Sequence, residues 1–204
     1  MKKIQRLFAR NYDGDRLVRD EVIPGSEWVI NGEGIATQKY DGTCCMIRDG
    51  VMFKRYEVKP NGKPPVGFEP ANEVDAKTGK RQGWLKVGDG PEDRWHREAL
   101  QADGETPWNG LPDGTYELCG PKINGNPEGL LVHMLIPHGY AQYPHFPRTY
   151  KGIVDAFESG GFNIEGVVWH HPDGRMVKIK LKDFGLKRAP ANAAIPSTEK
   201  EQNK

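Results

Sequence analysis

Four short segments of this sequence carry residue types that together suit phosphoryl transfer. Lys39-Tyr40-Asp41-Gly42 puts an amine, a carboxylate and a flexible turn within four residues, just after the short apolar run that starts at Ile35. Thr115-Tyr116-Glu117-Leu118-Cys119-Gly120 embeds one carboxylate in a strand-like run, and Ile164-Glu165-Gly166-Val167-Val168 does the same at the head of a later one. Lys178-Ile179-Lys180 puts two ammonium groups on one strand face, because side chains at i and i+2 point the same way. A phosphoryl-transfer site must hold a polyanion, neutralise charge on its oxygens and supply an aligned nucleophile. A free lysine, with a pKa near ~10.4, is a poor nucleophile at neutral pH. Two ammonium neighbours and a divalent cation would disfavour its charged form. The expectation is therefore that Lys178 and Lys180 lower the pKa of Lys39 and also grip a phosphate. Asp41 and Glu165 offer the oxygen ligands that Mg²⁺ prefers. Taken alone, Lys39 is unremarkable: Asp-Gly occurs seven times, and a lysine beside one such pair reads as a solvated hairpin residue.

The elements that must position these groups are mostly strands. Gly and Pro make up about a fifth of the chain, against roughly 12% in ordinary usage, so long helices cannot dominate. Thr43–Arg48, Asp49-Gly50 and Val51–Tyr56 read as a hairpin, as do Val167–His171, Pro172-Asp173-Gly174 and Arg175–Lys180, with Ile35–Gln38 a strand entering the first. Helices are expected over Pro91–Gln101, with Pro and acids in its first turn, and over Tyr150–Ser159, stopped by Gly160-Gly161. Lys59–Gly83 reads as a surface loop and residues 189–204 as a disordered tail. The result is one antiparallel α+β domain over residues 1–188.

Composition narrows the function classes. A formal charge of +1 leaves no global field to attract nucleic acid or membrane, so any basic surface is local. No apolar run reaches the ~18 residues of a membrane span, and the first ten residues lack a signal-peptide core. Three cysteines, two of them adjacent, offer neither a disulfide framework nor paired zinc spacing. A reducing, cytoplasmic setting with no membrane and no obligate protein partner is the expectation.

In order and spacing, the four segments resemble the covalent nucleotidyltransferase superfamily, which comprises ATP-dependent RNA and DNA ligases and GTP-dependent mRNA capping enzymes. Lys39–Gly42 is similar to the nucleophile motif, Tyr116-Glu117 to the third, Glu165-Gly166-Val167-Val168 to the fourth and Lys178-Ile179-Lys180 to the fifth. The segments Lys39–Cys45 and Glu117–Lys122 look most like the small RNA ligases that join 5′-phosphate to 3′-hydroxyl ends. The resemblance implies an antiparallel-sheet adenylylation domain using ATP and Mg²⁺ or Mn²⁺ through lysyl-AMP and adenylylated RNA. It implies that Glu117 accepts a hydrogen bond from the ribose and that groups around Thr37 and Gln38 select adenine. It also places Arg55 near the ribose or the accepting RNA end, with Lys54 one residue away as the competing choice. The adenine would stack on a residue of Leu130–Ile136. DNA ligases and capping enzymes append an OB-fold after the fifth motif. Only a couple of dozen residues follow Lys180, so a domain without an appended OB-fold is expected.

Such a domain must hold RNA itself. Arg175–Arg188 carries six basic residues and one acid, which nominates Lys182, Lys187 and Arg188 for phosphates. Trp84, Trp95 and Trp108 lie among cations and could stack bases, though core tryptophans with a charged rim are at least as good a reading. Two rival functions stay open: a GTP-dependent guanylyltransferase and a non-catalytic nucleotide- or RNA-binding module. The histidines read as surface or packing residues, and of Cys44 and Cys45 one should be core and the other near the site.

Overall fold

The computed structural model describes residues 4–101 and 111–190; Trp108 and the expected tail from residue 191 onward lie outside the described residues. In chain order the strands there are β1 (Gln5–Arg6), β2 (Phe8–Arg10), β3 (Val18–Val22), β4 (Ile35–Lys39), β5 (Thr43–Arg48), β6 (Val51–Val58) and β7 (Glu69–Pro70). They continue with β8 (Arg81–Lys86), β9 (Gly114–Cys119), β10 (Met134–Pro137), β11 (Gln142–Tyr143), β12 (Gly166–His170) and β13 (Met176–Lys180). Among the described residues three short α-helices accompany them, α1 (Glu27–Ile30), α2 (Arg94–Ala99) and α3 (Tyr150–Glu158), with 3-10 turns at Pro91–Asp93 and Leu181–Phe184. The architecture is α+β and mostly antiparallel, and among the described residues no helix is long and apolar enough to cross a membrane.

The strands form a five-stranded sheet in the order β1-β13-β12-β4-β11, a six-stranded sheet in the order β10-β9-β5-β6-β8-β7, and a small β2-β3 ribbon. Among the described residues only β1 and β13 pair in parallel. The six-stranded sheet comes from one continuous stretch, β5 to β10, whereas the five-stranded sheet draws strands from both sides of that stretch. Departure and return lie close together, because the Gln38 amide donates to the Ala141 carbonyl at 2.8 Å and β4 pairs with β11.

Local chemistry explains the hairpins. Asp49 and Gly50 both adopt left-handed conformations, φ 52° and 68°, which a two-residue hairpin turn requires. β12 and β13 pair with Val168 opposite Lys178 and Gly166 opposite Lys180. The Thr149 hydroxyl accepts the Gly152 amide at 3.2 Å and starts α3. Two expectations need correction. β4 forms, but it pairs with β12 and β11 rather than with the β5–β6 hairpin, because the turn at Tyr40–Gly42 carries the chain into the other sheet. Lys59–Gly83 is not wholly loop: it contains β7 and the first half of β8, and Gly83 is buried where Phe68 and the Glu69 carbonyl approach it.

Each sheet has its own core. Trp169, Val167, Ile179 and Val177 of the five-stranded sheet pack with Ile153 and Phe157 of α3. Cys45, Ile47, Tyr116 and Leu118 of the six-stranded sheet pack with Ala99 of α2 and Leu135. Strand alternation sends the neighbours of these residues the other way. The second faces of the two sheets, carrying Thr37, Lys39, Val168 and Lys178 on one side and Cys44, Arg55, Thr115 and Glu117 on the other, line a cleft of 760 Å³.

Candidate active site

Register builds the site. Gly166 lies opposite Lys39 on one side and Lys180 on the other, and Val168 likewise lies between Thr37 and Lys178. Paired residues share a face, so two adjacent rows deliver three lysines and a threonine to one surface. Lys39 ends β4, and the turn after it has no room for a side chain at position 42. A Cβ on Gly42 would sit 2.1 Å from the Leu118 carbonyl oxygen and 2.9 Å from Glu117 Cγ.

Glu165, one residue before β12, lies between two ammonium groups. Its Oε2 accepts from Lys39 Nζ at 2.6 Å and its Oε1 pairs closely with Lys180 Nζ. Burial alone would raise the Glu165 pKa; the lysines outweigh it and hold the carboxyl below its ordinary value. Lys39 shows the converse. Burial pushes its pKa down, but the Glu165 attraction and hydrogen bond, with Glu117 and Asp41 behind them, raise it above the usual lysine value. The expectation that Lys178 and Lys180 depress the Lys39 pKa is therefore corrected for the ligand-free protein, because a carboxylate at 2.6 Å outweighs ammonium groups farther off.

Lys178 takes the depression instead. Burial first, then repulsion from Lys180, Lys39 and Arg6, holds its pKa at about 8. Its folded pKa lies below the unfolded value of ~10.4, so the native state binds fewer protons between those limits and stability from this group rises with pH there. At neutral pH the charged Lys178 is a liability. Lys178→Met is expected to stabilise the free protein at pH 7 by about 1–2 kcal/mol, discounted for a partly exposed side chain, or roughly 3–6 °C in Tm. The gain should shrink as pH rises from 8 towards 10.5. Thermal melts at several pH values check this; an unchanged Tm at pH 7, or a gain that grows with pH, would contradict it.

Of the residues nominated from sequence, Thr37, Gln38, Lys39, Arg55, Glu117 and Lys178 line the cleft, while Asp41, Glu165 and Lys180 do not. Thr37 is buried and its hydroxyl donates to the Val168 carbonyl at 3.2 Å. Arg55 and Lys54 point to opposite faces of β6. Arg55 faces the cleft, held by Gln82 at 3.1 Å and lying over the Trp84 ring, whereas Lys54 pairs with buried Asp93 at 2.5 Å. Trp84 is core, and Trp95 stacks between His133 and Arg94. Cys45 is buried, and Cys44 borders the cleft with a thiol pushed up to about 11, by burial and then by Glu117.

Several residues stand elsewhere than expected. None of Leu130–Ile136 lines the cleft: Leu131 is exposed, and Leu135 and Ile136 are buried. His138, beyond β10, lines it instead and bonds to Glu117 at 2.9 Å, and His170 joins from β12. Lys182 and Lys187 are exposed, but Arg188 is not a free surface cation. Its guanidinium grips Glu128 through two bonds of 2.9 and 2.8 Å. Glu128, unsuspected from sequence, also accepts the Asp41 amide at 2.9 Å, so this ion pair braces the turn after Lys39. Asn124 completes the brace by donating to Asp41 Oδ1 and the Gly42 carbonyl at 3.1 and 2.9 Å. Asn72, Asp75, Thr78 and Lys80, from the supposed surface loop, form part of the cleft wall.

The family model described as RNA ligase 1 matches residues 94–199, a segment that holds Glu117, Glu165, Lys178 and Lys180 and begins after Lys39. Among curated proteins, RNA ligase 1 of Mus musculus and of Rattus norvegicus are each 26% identical to this chain, over 74% of it and 67% of their own length. RNA ligase 1 of Danio rerio is 27% identical with the same coverage.

Proposed function

The chain belongs to the RNA ligase 1 family, and from that premise we propose that it is an ATP-dependent RNA ligase whose nucleophile is Lys39. Its sheets would then be those of a nucleotidyltransferase domain. The observation that carries the reading is the register of Lys39, Gly166 and Lys180, with Thr37, Val168 and Lys178 beside it; of these Thr37, Lys39, Val168 and Lys178 line a cleft large enough for a nucleotide. Cations converge there on one amine, as transfer to an amine from a polyphosphate demands.

The proposed reaction has three steps. Lys39 Nζ attacks the α-phosphorus of ATP, forming an N–P bond as the bond to pyrophosphate breaks. The AMP group then passes to the 5′-phosphate of an RNA end. Finally the 3′-hydroxyl of the other end attacks that phosphate, closing the phosphodiester and expelling AMP. Glu165 orients Nζ beforehand, and whatever engages its carboxylate elsewhere removes the largest attraction on Lys39, so burial then weighs more heavily towards the neutral amine against Glu117 and Asp41. Lys178 contributes a charge already destabilised in the free protein and hence readily given to a phosphate. Glu117, fixed by the Gly42 amide at 3.1 Å and by His138, would accept a ribose hydroxyl.

The Asp41 and Glu165 carboxylates are hard oxygen donors of the kind Mg²⁺ or Mn²⁺ takes. Such an ion would neutralise charge on the substrate's phosphate oxygens. The test is incubation with labelled ATP or GTP and Mg²⁺ followed by denaturing electrophoresis. Covalent label from ATP supports the ligase; label from GTP alone points to a guanylyltransferase, and none from either to a binding module.

We further propose that exposed Lys182 and Lys187 touch RNA phosphates. Lys182→Ala with Lys187→Ala is expected to weaken RNA sealing several-fold, flatten its salt dependence by about two contacts and leave lysyl-AMP formation within about twofold. Equal loss of both steps would assign these lysines to the nucleotide pocket or the fold.

A further inference from the structure

One wall of the cleft carries a cluster that nucleotidyl transfer leaves largely unused. Cys44 on β5 and Glu117 on β9 are direct cross-strand partners, so their side chains leave the sheet side by side. His138 follows β10, and its amide donates to the Thr115 carbonyl at 3.1 Å, which brings the ring against that pair. Its Nε2 lies 2.9 Å from Glu117 Oε2. One ligand atom from each of Cys44, Glu117 and His138 lies within 4.8 Å of the others.

The cluster is also braced from behind. His138 Nδ1 is held by the Thr115 hydroxyl at 2.9 Å, fixing the ring with Nε2 towards the cluster. The other Glu117 oxygen accepts the Gly42 amide at 3.1 Å. Metal-binding histidines and carboxylates are characteristically oriented by such outer partners. All three residues border the cleft, so a fourth coordination position would face its interior. Sulfur, nitrogen and oxygen donors in one set suit Zn²⁺ among available divalent ions, whereas Mg²⁺ prefers oxygen alone.

We propose that Cys44, Glu117 and His138 form a Zn²⁺-class transition-metal site, and that an ion held there excludes nucleotide from the cleft. The exclusion follows from geometry, since the ion would take the Glu117 carboxylate and stand against the cleft wall. That second part rests on the nucleotidyl-transfer reading; the metal site does not.

The test therefore separates them. Titration of the full chain with Co²⁺ is expected to give one equivalent of tight binding with thiolate-to-cobalt absorption, displaced by Zn²⁺. Cys44→Ser should abolish that absorption, and both Cys44→Ser and His138→Gln should weaken Zn²⁺ binding at least tenfold. No thiolate absorption, or a spectrum and affinity unchanged in both variants, overturns the site. In the ATP-labelling assay with Mg²⁺, stoichiometric Zn²⁺ should suppress labelling of the parent chain and excess ATP should restore it. Labelling indifferent to Zn²⁺ while the cobalt spectrum is present overturns the exclusion. Failure of all labelling without Zn²⁺ instead counts against the ligase reading and leaves the cobalt result to decide the site.

Discussion

Lys39→Ala is expected to reduce covalent label from ATP to background while the protein stays folded. The amine at the end of β4 is the atom proposed to form the N–P bond, and a methyl group has no lone pair to offer. Folding should change little. Glu165 keeps Lys180 as a partner, and Lys178 loses one repelling neighbour, so the two effects oppose each other. Lys39→Arg sharpens the test. It keeps a cation for Glu165 but presents a guanidinium that stays protonated at any working pH, so it too should fail to label. Measured by gel after denaturation, persistent label in either variant would move the nucleophile elsewhere. Loss of label with loss of the native thermal transition would leave the chemistry unread, and melting curves belong beside the gel.

Glu165→Gln should separate two roles that one carboxylate combines. The amide removes the largest attraction that raises Lys39 above its usual pKa, so burial and the repulsion of Lys178 pull that amine down against the weaker attraction of Glu117 and Asp41. Lys39 should then react faster with an amine-specific acylating reagent near neutral pH, about tenfold for each unit its pKa falls. Nucleotide transfer should nevertheless drop by roughly a hundredfold or more, because the carboxylate that orients Lys39 Nζ and would offer oxygen to a divalent ion is lost. Stability should fall by about 2–3 kcal/mol, somewhat less than for a fully enclosed pair, since two ammonium groups lose their shared partner. Acylation of Lys39, mapped by mass spectrometry, that is no faster in the variant would refute the electrostatic account. Transfer at the parent rate would remove Glu165 from the proposed machinery.

What sequence could say about this chain depended on distance along it. The Asp49-Gly50 hairpin and the shared face of Lys178 and Lys180 were legible because both are decided within a few residues, by turn conformation and by the two-residue period of a strand. The partner of β4 was not, since pairing with β12 closes a loop of well over a hundred residues and nothing local announces it. Lys59–Gly83 reads as solvent-facing because it is polar and rich in Gly and Pro. A cleft wall needs those same polar residues, so composition could not distinguish the two. Glu128 escaped notice for a similar reason, its partners being Asp41 and Arg188, 87 and 60 residues away. The error over Lys39 is of another kind. Sequence lists the charges that gather around an amine but not their order of approach, and the carboxylate arrives first.

The chain leaves the five-stranded sheet after Lys39, builds the whole six-stranded sheet and returns at β11. Two covalent connections, side by side, therefore join a pair of bodies that otherwise keep separate cores. If the two were to rotate against each other, Tyr40–Gly42 and His138–Ala141 would lie nearest the pivot. Rotation about it would swing Arg55 and the 59–83 wall through the largest arc, towards or away from Lys178. Lys39, next to the pivot, would scarcely move. The amine proposed as nucleophile would thus sit at the point of least displacement, keeping its aim if the cleft changed width around a substrate.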